Sequence, residues 1–323
     1  MAVYTEVTEA ELGALVASYE LGTLVSYKGI AEGVENTNYL VVTSTGRYIL
    51  TLYEKRVDPA ELPFFLELME HLAARGLTCP VPLRDRAGRN LGEIAGRPAA
   101  FVTFIDGGWM RKPTASHCAA VGEALARLHL AGSDFAMRRV NGLGQQAWRP
   151  LFEKFESRTE EIAPGLGDTI RAELAHHDAH WPRGLPQGVI HADLFPDNVF
   201  FLDGRLSGLI DFYFACTDAL AYDVAVCLNA WCFEPDGSFD LEKGRALFAG
   251  YQHVRPLSPE EVAAMPILAR GAALRFLLTR AYDWINTPPD ALVQRKDPGE
   301  YLSRLLFHAS VRDATAYGLE TRS

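Results

Sequence analysis

The most restrictive feature of this chain is a change in the spacing of its apolar residues at Asp106-Gly107-Gly108. Upstream, residues 24–28, 38–43 and 47–53 are rich in Val, Ile, Tyr and Leu. Ser44-Thr45-Gly46 supplies a turn between the last two, so these stretches predict antiparallel strands. Behind Pro63, residues Phe65, Leu66, Met69, Leu72 and Ala73 recur at helical spacing, which predicts a helix over 63–76 facing that sheet. Strand-like runs follow at 90–94 and 98–105. Beyond Gly108 the helical period takes over, at 115–131 with Thr114 as N-cap, and again at 150–163, 168–181, 218–231 and 267–285. One short β segment falls between 189 and 210. The pattern predicts an α+β chain with a small antiparallel-sheet unit over 1–107 and a larger, mainly helical unit over 108–323. A length of 323 residues favours two domains over a single core.

Composition narrows the function. With 31 basic and 41 acidic side chains the net charge is −10, which argues against nucleic acid as the main partner, because phosphate backbones need a basic face. A local patch or a metal can still hold a nucleotide. No apolar run is expected to reach the ~18–20 residues of a membrane span. The first residues carry Glu6 where an export signal would carry bases. Five cysteines, an odd number without a C-x-x-C pair, predict reduced thiols in a cytoplasmic protein.

The chemistry is concentrated in Val189-Ile190-His191-Ala192-Asp193-Leu194-Phe195-Pro196-Asp197-Asn198-Val199, followed by the turn Asp203-Gly204 and then Asp211-Phe212. A loop presents Asp193 and Asn198, and a tight turn folds the chain back so that Asp211 returns to the end occupied by Asn198. One carboxylate is thereby placed to accept a proton, while an amide oxygen and a second carboxylate can share Mg²⁺ with phosphate oxygens and water. The order H-x-D-L-x-x-x-N then D-F is the pattern of kinase catalytic and metal loops. An ordinary hairpin with polar ends would not be expected to match five positions and add a second Asp at hairpin distance. Ala192 stands where protein kinases have Arg, Tyr213 follows Asp-Phe where they have Gly, and no A-P-E occurs. These departures point to a constitutively active enzyme acting on a small molecule.

On these residues the chain resembles the aminoglycoside phosphotransferase and choline kinase-like superfamily. Gly33-Val34-Glu35-Asn36-Thr37-Asn38-Tyr39, Tyr48-Ile49-Leu50-Thr51-Leu52-Tyr53-Glu54 and Leu274-Arg275-Phe276-Leu277-Leu278-Thr279-Arg280-Ala281-Tyr282-Asp283 narrow the resemblance to its bacterial homoserine kinases. The resemblance implies a two-lobed, protein-kinase-like fold with the active site in the cleft. It also implies phosphorylation of L-homoserine by ATP in threonine biosynthesis. Under it Asp193 is the catalytic base or hydroxyl orienter, Asn198 and Asp211 are Mg²⁺ ligands, and His191 and Asp223 hold the loop. An exposed helix carboxylate is the alternative for Asp223. Sister kinases acting on choline or an aminoglycoside are the nearest alternatives. An inactive nucleotide-binding module is an alternative of another class.

The nucleotide is expected at Gly29 and Gly33, between the first two strands, where glycine lets backbone N–H groups approach phosphate. The backbone of Phe104, Ile105 and Asp106 is positioned by the resemblance to read adenine's edge. Kinases of this fold usually place a Lys or Arg on the third strand, but Thr51 occupies that position, with Glu67 and Glu70 as candidate acidic partners. Lys28 is the preferred replacement cation and Lys55 the other; a surface lysine is the plain alternative for each. Arg275 and Arg280 interrupt an apolar helix and need partners, either an internal carboxylate such as Asp283 or a substrate carboxylate. His129 reads as a structural histidine near the loop. His176 and His180 share a helix face and read as solvated rather than metal-binding.

Overall fold

The computed structural model describes residues 5–30, 36–54, 58–287 and 295–319. The chain divides into two compact units, the first ending at Asp106 and the second beginning at Gly107. The first unit opens with α1 (Glu9–Ala17), started by a capping box between Thr8 and Glu11. A five-stranded antiparallel sheet follows in the order β1-β2-β3-β5-β4. Its strands are β1 (Leu24–Ile30), β2 (Thr37–Thr43), β3 (Gly46–Leu52), β4 (Gly92–Ile94) and β5 (Arg97–Thr103). α2 (Leu62–Ala74) carries Pro63 in its first turn, where a missing N–H costs nothing. α1 has no counterpart among the expected elements, since a helix of nine residues burying only Leu12 and Val16 leaves too short an apolar stripe to register.

Strand alternation sorts this sheet into two faces. Tyr39 pairs with Leu50 and Leu50 with Phe101, and these three join Val41, Leu52, Ala99, Leu12 and Val16 in one apolar core. The opposite face carries the row Lys28, Leu40, Ile49 and Val102, and beside it the row Ile30, Asn38, Thr51 and Ala100. Its β1 and β2 members are half-buried or exposed.

The second unit is mainly helical: α3 (Ala115–Ala131), α4 (Gln145–Glu153), α5 (Leu166–His180), α6 (Leu220–Trp231), α7 (Leu241–Val254), α8 (Pro259–Asn286) and α9 (Pro298–Ser310). Two strand pairs complete it. β6 (Gln187–Ile190) pairs antiparallel with β9 (Cys216–Ala219), and β7 (Val199–Leu202) with β8 (Arg205–Leu209). α3 and α7 meet at two glycines. A Cβ on Gly122 would sit 2.1 Å from the Leu247 carbonyl oxygen, and one on Gly250 would sit 2.0 Å from that of Ala119.

Three expectations are corrected here. The helix expected over 150–163 stops at Glu153, one turn after Pro150 removes an intrahelical donor, and continues as a 3₁₀ turn over Glu156–Glu161. Asp218 and Ala219, expected to open the helix over 218–231, end β9 instead, because pairing with β6 outweighs their helical spacing, and α6 begins at Leu220. α8 is, by length and composition, apolar enough to cross a membrane, against the expectation that no such run exists; 67% of that apolar window is buried inside the structure. All five cysteines are unpaired and buried.

Candidate active site

The loop after β6 is built around a bend at Ala192, whose φ of 63° lies in the left-handed region that residues other than glycine avoid. The cost, ~1–2 kcal/mol, is met by Asp223 in the first turn of α6. Its Oδ2 accepts the His191 N–H at 2.7 Å and its Oδ1 accepts the Ala192 N–H at 2.8 Å. Hydrogen bonds to a charged group contribute ~1.5–3 kcal/mol each. Asp223 is fully buried, which disposes of the exposed-carboxylate alternative. It also lies 3.1 Å from His129 Nε2, while His129 Nδ1 lies 2.7 Å from the Tyr251 hydroxyl. Arg255 donates to the Tyr251 oxygen at 3.0 Å and to Glu261 at 2.9 Å. Donor chemistry then sets one direction along the chain: Arg255 to Tyr251, Tyr251 to His129, and His129 Nε2–H to Asp223. Burial alone would raise the Asp223 carboxyl; the His129 hydrogen bond and the His191 backbone N–H work against it, and the carboxyl lies below its ordinary range.

Asp193 follows the bend. Arg275, on α8, donates to the Ala192 carbonyl at 3.0 Å, and the same nitrogen lies 3.5 Å from Asp193 Oδ1. Its guanidinium packs over the Phe276 ring at 3.9 Å. Burial pushes the Asp193 carboxyl up, with Arg275, His191 and Lys296 pulling against it. His191 is fully buried, and its Nε2 meets the Ile210 carbonyl at 3.0 Å. Its ring thereby joins the loop to the residue before Asp211. Burial holds this imidazole below its ordinary pKa despite the neighbouring Asp223.

β7 and β8 bring the two expected metal ligands to one end of a hairpin. Asp203 (φ 50°) and Gly204 (φ 75°) make its turn, both left-handed as a tight hairpin requires. At the open end the Ile210 N–H donates to the Asn198 carbonyl at 3.0 Å. The Asn198 amide nitrogen donates to the Asp193 carbonyl at 2.8 Å, which orients the amide oxygen as its remaining ligand end. Asp211 is exposed and left-handed at φ 64°. One amide oxygen and one carboxylate are hard donors that fit Mg²⁺ with phosphate and water in the other positions.

A cavity of about 470 Å³ lies in the same unit. Arg275, Thr279 and Lys154 border it together with Asn141, Gln146 and Trp148. Arg280 does not line it. Its Nη1 bonds Glu300 of α9 at 2.5 Å and its guanidinium lies 4.4 Å over the Tyr301 ring, so this arginine ties α8 to α9. Of the two histidines expected on a solvated face, His180 is exposed and His176 is half-buried, with Arg270 Nη1 3.2 Å from its Nε2. Among the described residues no group of three or more His, Cys, Asp or Glu could hold a metal ion.

In the first unit the expected nucleotide residues fall differently. Gly29 is a strand residue of β1 paired with Tyr39, and not part of a loop, because the ladder continues to Ile30. Gly33 and Lys55 lie outside the described residues. Lys28 is exposed, on the face that carries Thr51. Thr51 is buried and donates to Asn38 Oδ1 at 2.7 Å. Glu70 binds Arg84 at 2.6 Å, and Glu67 is exposed. Phe104, Ile105 and Asp106 follow β5 directly. Arg47 stacks over the Phe104 ring at 4.5 Å and pairs with the Asp106 carboxylate at 2.7 Å. Arg47, Tyr251, Arg255 and Lys296 went unread in the sequence. The alternation of β3 could have placed Arg47 on the Thr51 face; no local signal marks the other three.

Residues 26–257 match the family model described as "Phosphotransferase enzyme family". The chain is 66% identical over 319 residues to a homoserine kinase of Xanthobacter autotrophicus, covering 99% of both chains. It is 61% identical over 320 residues to a homoserine kinase of Brucella anthropi, covering 99% of this chain and 98% of that one. Among solved structures it is similar to amicoumacin kinase in complex with AMP-PNP and Ca²⁺, with a TM-score of 0.69, 16% identity and 93% coverage of each chain. It is likewise similar to choline kinase from Cryptosporidium parvum, with a TM-score of 0.64, 15% identity and 88% coverage of each. At these identities the structural likenesses carry the fold alone: a kinase-like α+β fold with a small antiparallel sheet and a helical C-terminal unit.

Proposed function

Because the chain belongs to the phosphotransferase enzyme family, we propose that it is an ATP-dependent homoserine kinase, which converts L-homoserine to O-phospho-L-homoserine for threonine biosynthesis. The observation that carries the chemistry is the loop in which Asp193, Asn198 and Asp211 are set by Asp223, Arg275 and the β7–β8 hairpin. Asp193 takes the hydroxyl proton of homoserine as that oxygen bonds to the γ-phosphorus and the bond from that phosphorus to the β-phosphate oxygen breaks, releasing ADP. Asn198 and Asp211 would hold Mg²⁺, which neutralises phosphate charge when bound. His191 and Asp223 act by positioning the loop.

For ATP, the reading assigns Lys28, Gly29, Gly33 and the backbone of Phe104, Ile105 and Asp106. Arg275 borders the cavity and carries a planar fork suited to the carboxylate of homoserine. Arg280, already bonded to Glu300, is the weaker candidate. The cavity residues include the cations Arg275 and Lys154 and no Asp or Glu, which suits an amino acid better than a polycationic aminoglycoside or choline. Five unpaired, buried thiols suit a reducing cytoplasm. A coupled ADP-release assay across L-homoserine, choline and a kanamycin-type aminoglycoside tests the reading. Turnover is expected on homoserine well above the others. Choline turning over faster would overturn the substrate, and no turnover on any alcohol despite MgATP binding would favour an inactive nucleotide-binding module.

A further inference from the structure

Phosphoryl transfer spreads negative charge over three equatorial oxygens, and active sites answer it with cations beside the metal ion. The loop 191–198 supplies none of them: it contains Asp193 and Asp197 but no Lys or Arg, and burial disfavours a charged His191. Arg275 comes close, yet its Nη1 is taken by the Ala192 carbonyl and Asp193, and the reading above gives the rest of its fork to the substrate carboxylate.

Lys296 approaches from the segment ahead of α9. Its Nζ lies 5.7 Å from the centroid of Phe195, a residue of the loop itself. Phe195 in turn packs edge-on at 4.9 Å against Phe276, the ring under the Arg275 guanidinium, and the charge of Lys296 is felt at Asp193. The main chain at this point is anchored. Asp297 caps α9 by accepting the Gly299 N–H at 2.8 Å, and its carbonyl accepts from Arg280 at 3.2 Å. Lys296 is exposed, and among the described residues its ammonium makes no hydrogen bond or ion pair. An anchored backbone thus sets this ammonium against a ring of a loop that has no cation of its own.

We propose that Lys296 binds the transferring γ-phosphoryl group of ATP and supplies the positive charge that the catalytic loop lacks. The inference rests on the kinase reading above and adds to it a residue remote in sequence. In the transfer the new bond to the homoserine oxygen forms and the bond to the β-phosphate oxygen breaks, with the ammonium staying protonated throughout.

Lys296→Ala and Lys296→Arg in the full chain test this. Lys296→Ala is expected to lower kcat about 10²–10³-fold, the usual loss for one electrostatic donor. KM for homoserine should stay within about threefold, and Lys296→Arg should restore part of the rate. Calorimetry gives a readout apart from turnover: the alanine variant should bind AMP-PNP with Mg²⁺ more weakly while binding ADP as the wild type does. Equal loss of both nucleotides would overturn the proposal, as would an intact kcat with a raised KM for homoserine, which marks a carboxylate anchor. Wild-type behaviour in every measurement would make Lys296 a surface lysine. If the wild type proves inactive on homoserine, the substrate reading fails, but the AMP-PNP-over-ADP comparison still judges Lys296.

Discussion

The 191–198 loop of the second unit and the Thr51 face of the sheet in the first each carry polar groups, but they are built differently. The loop is held by buried charge: Asp223 receives two backbone N–H groups and His129, and Arg275 closes on the far side. The sheet face replaces the expected third-strand cation with a neutral pair, Thr51 donating to Asn38, and leaves its lysine, Lys28, exposed. A geometry fixed to a few tenths of an ångström needs partners that resist water, whereas phosphate neutralisation tolerates a mobile ammonium on a long stem. The two regions should therefore answer mutation unequally.

The largest effect is expected at the loop's working residue. Asp193→Ala should lower kcat by about 10²–10⁴-fold while MgATP still binds, as single-turnover and equilibrium binding measurements would show. A wild-type kcat would remove Asp193 from the chemistry. Next is the foundation: Asp223→Ala strands buried donors and His129, and should cost about 3–5 kcal/mol in urea unfolding, as breaking a buried charged pair does. Thr51→Val on the sheet face removes one neutral hydrogen bond and should cost about 1 kcal/mol. Similar losses at the two sites would erase the contrast.

Smaller effects separate binding roles. Arg275→Lys loses the fork and should raise KM for homoserine by about tenfold, the value of roughly 1.4 kcal/mol, with KM for ATP nearly constant. Both constants rising together would assign Arg275 wholly to holding Asp193. The mildest change is expected on the sheet: Lys28→Ala should raise KM for ATP several-fold and leave homoserine alone. Unchanged KM in Lys28→Ala together with tighter ATP binding in Thr51→Lys would show that this sheet works without a lysine on the phosphates.

Much of the loop was legible because its information is local. The spacing of Asp193, Asn198 and Asp211, with a left-handed Asp203-Gly204 turn between the last two, sets the hairpin through backbone geometry alone. The β2–β3 pair was legible for the same reason, as alternation and the Ser44-Thr45 turn, with Gly46 already paired to Thr43, set its register. Gly29 was misread as loop because glycine signals permissiveness and not the point at which a ladder ends. Asp223 stayed ambiguous because residue type alone does not distinguish an exposed helix carboxylate from a buried one.

Local sequence sets the strand-then-helix division and the hairpin that returns Asp211 to the end occupied by Asn198. The surroundings of Asp193 come from contacts distant in sequence. Arg275 reaches Ala192 across 83 residues, and His129 reaches Asp223 across 94. Periodicity and turn chemistry act over a few residues and can be read along the chain. Which distant cation meets a buried carboxylate depends on how α3, α6, α7 and α8 pack, and that is settled only when their side chains share one interior.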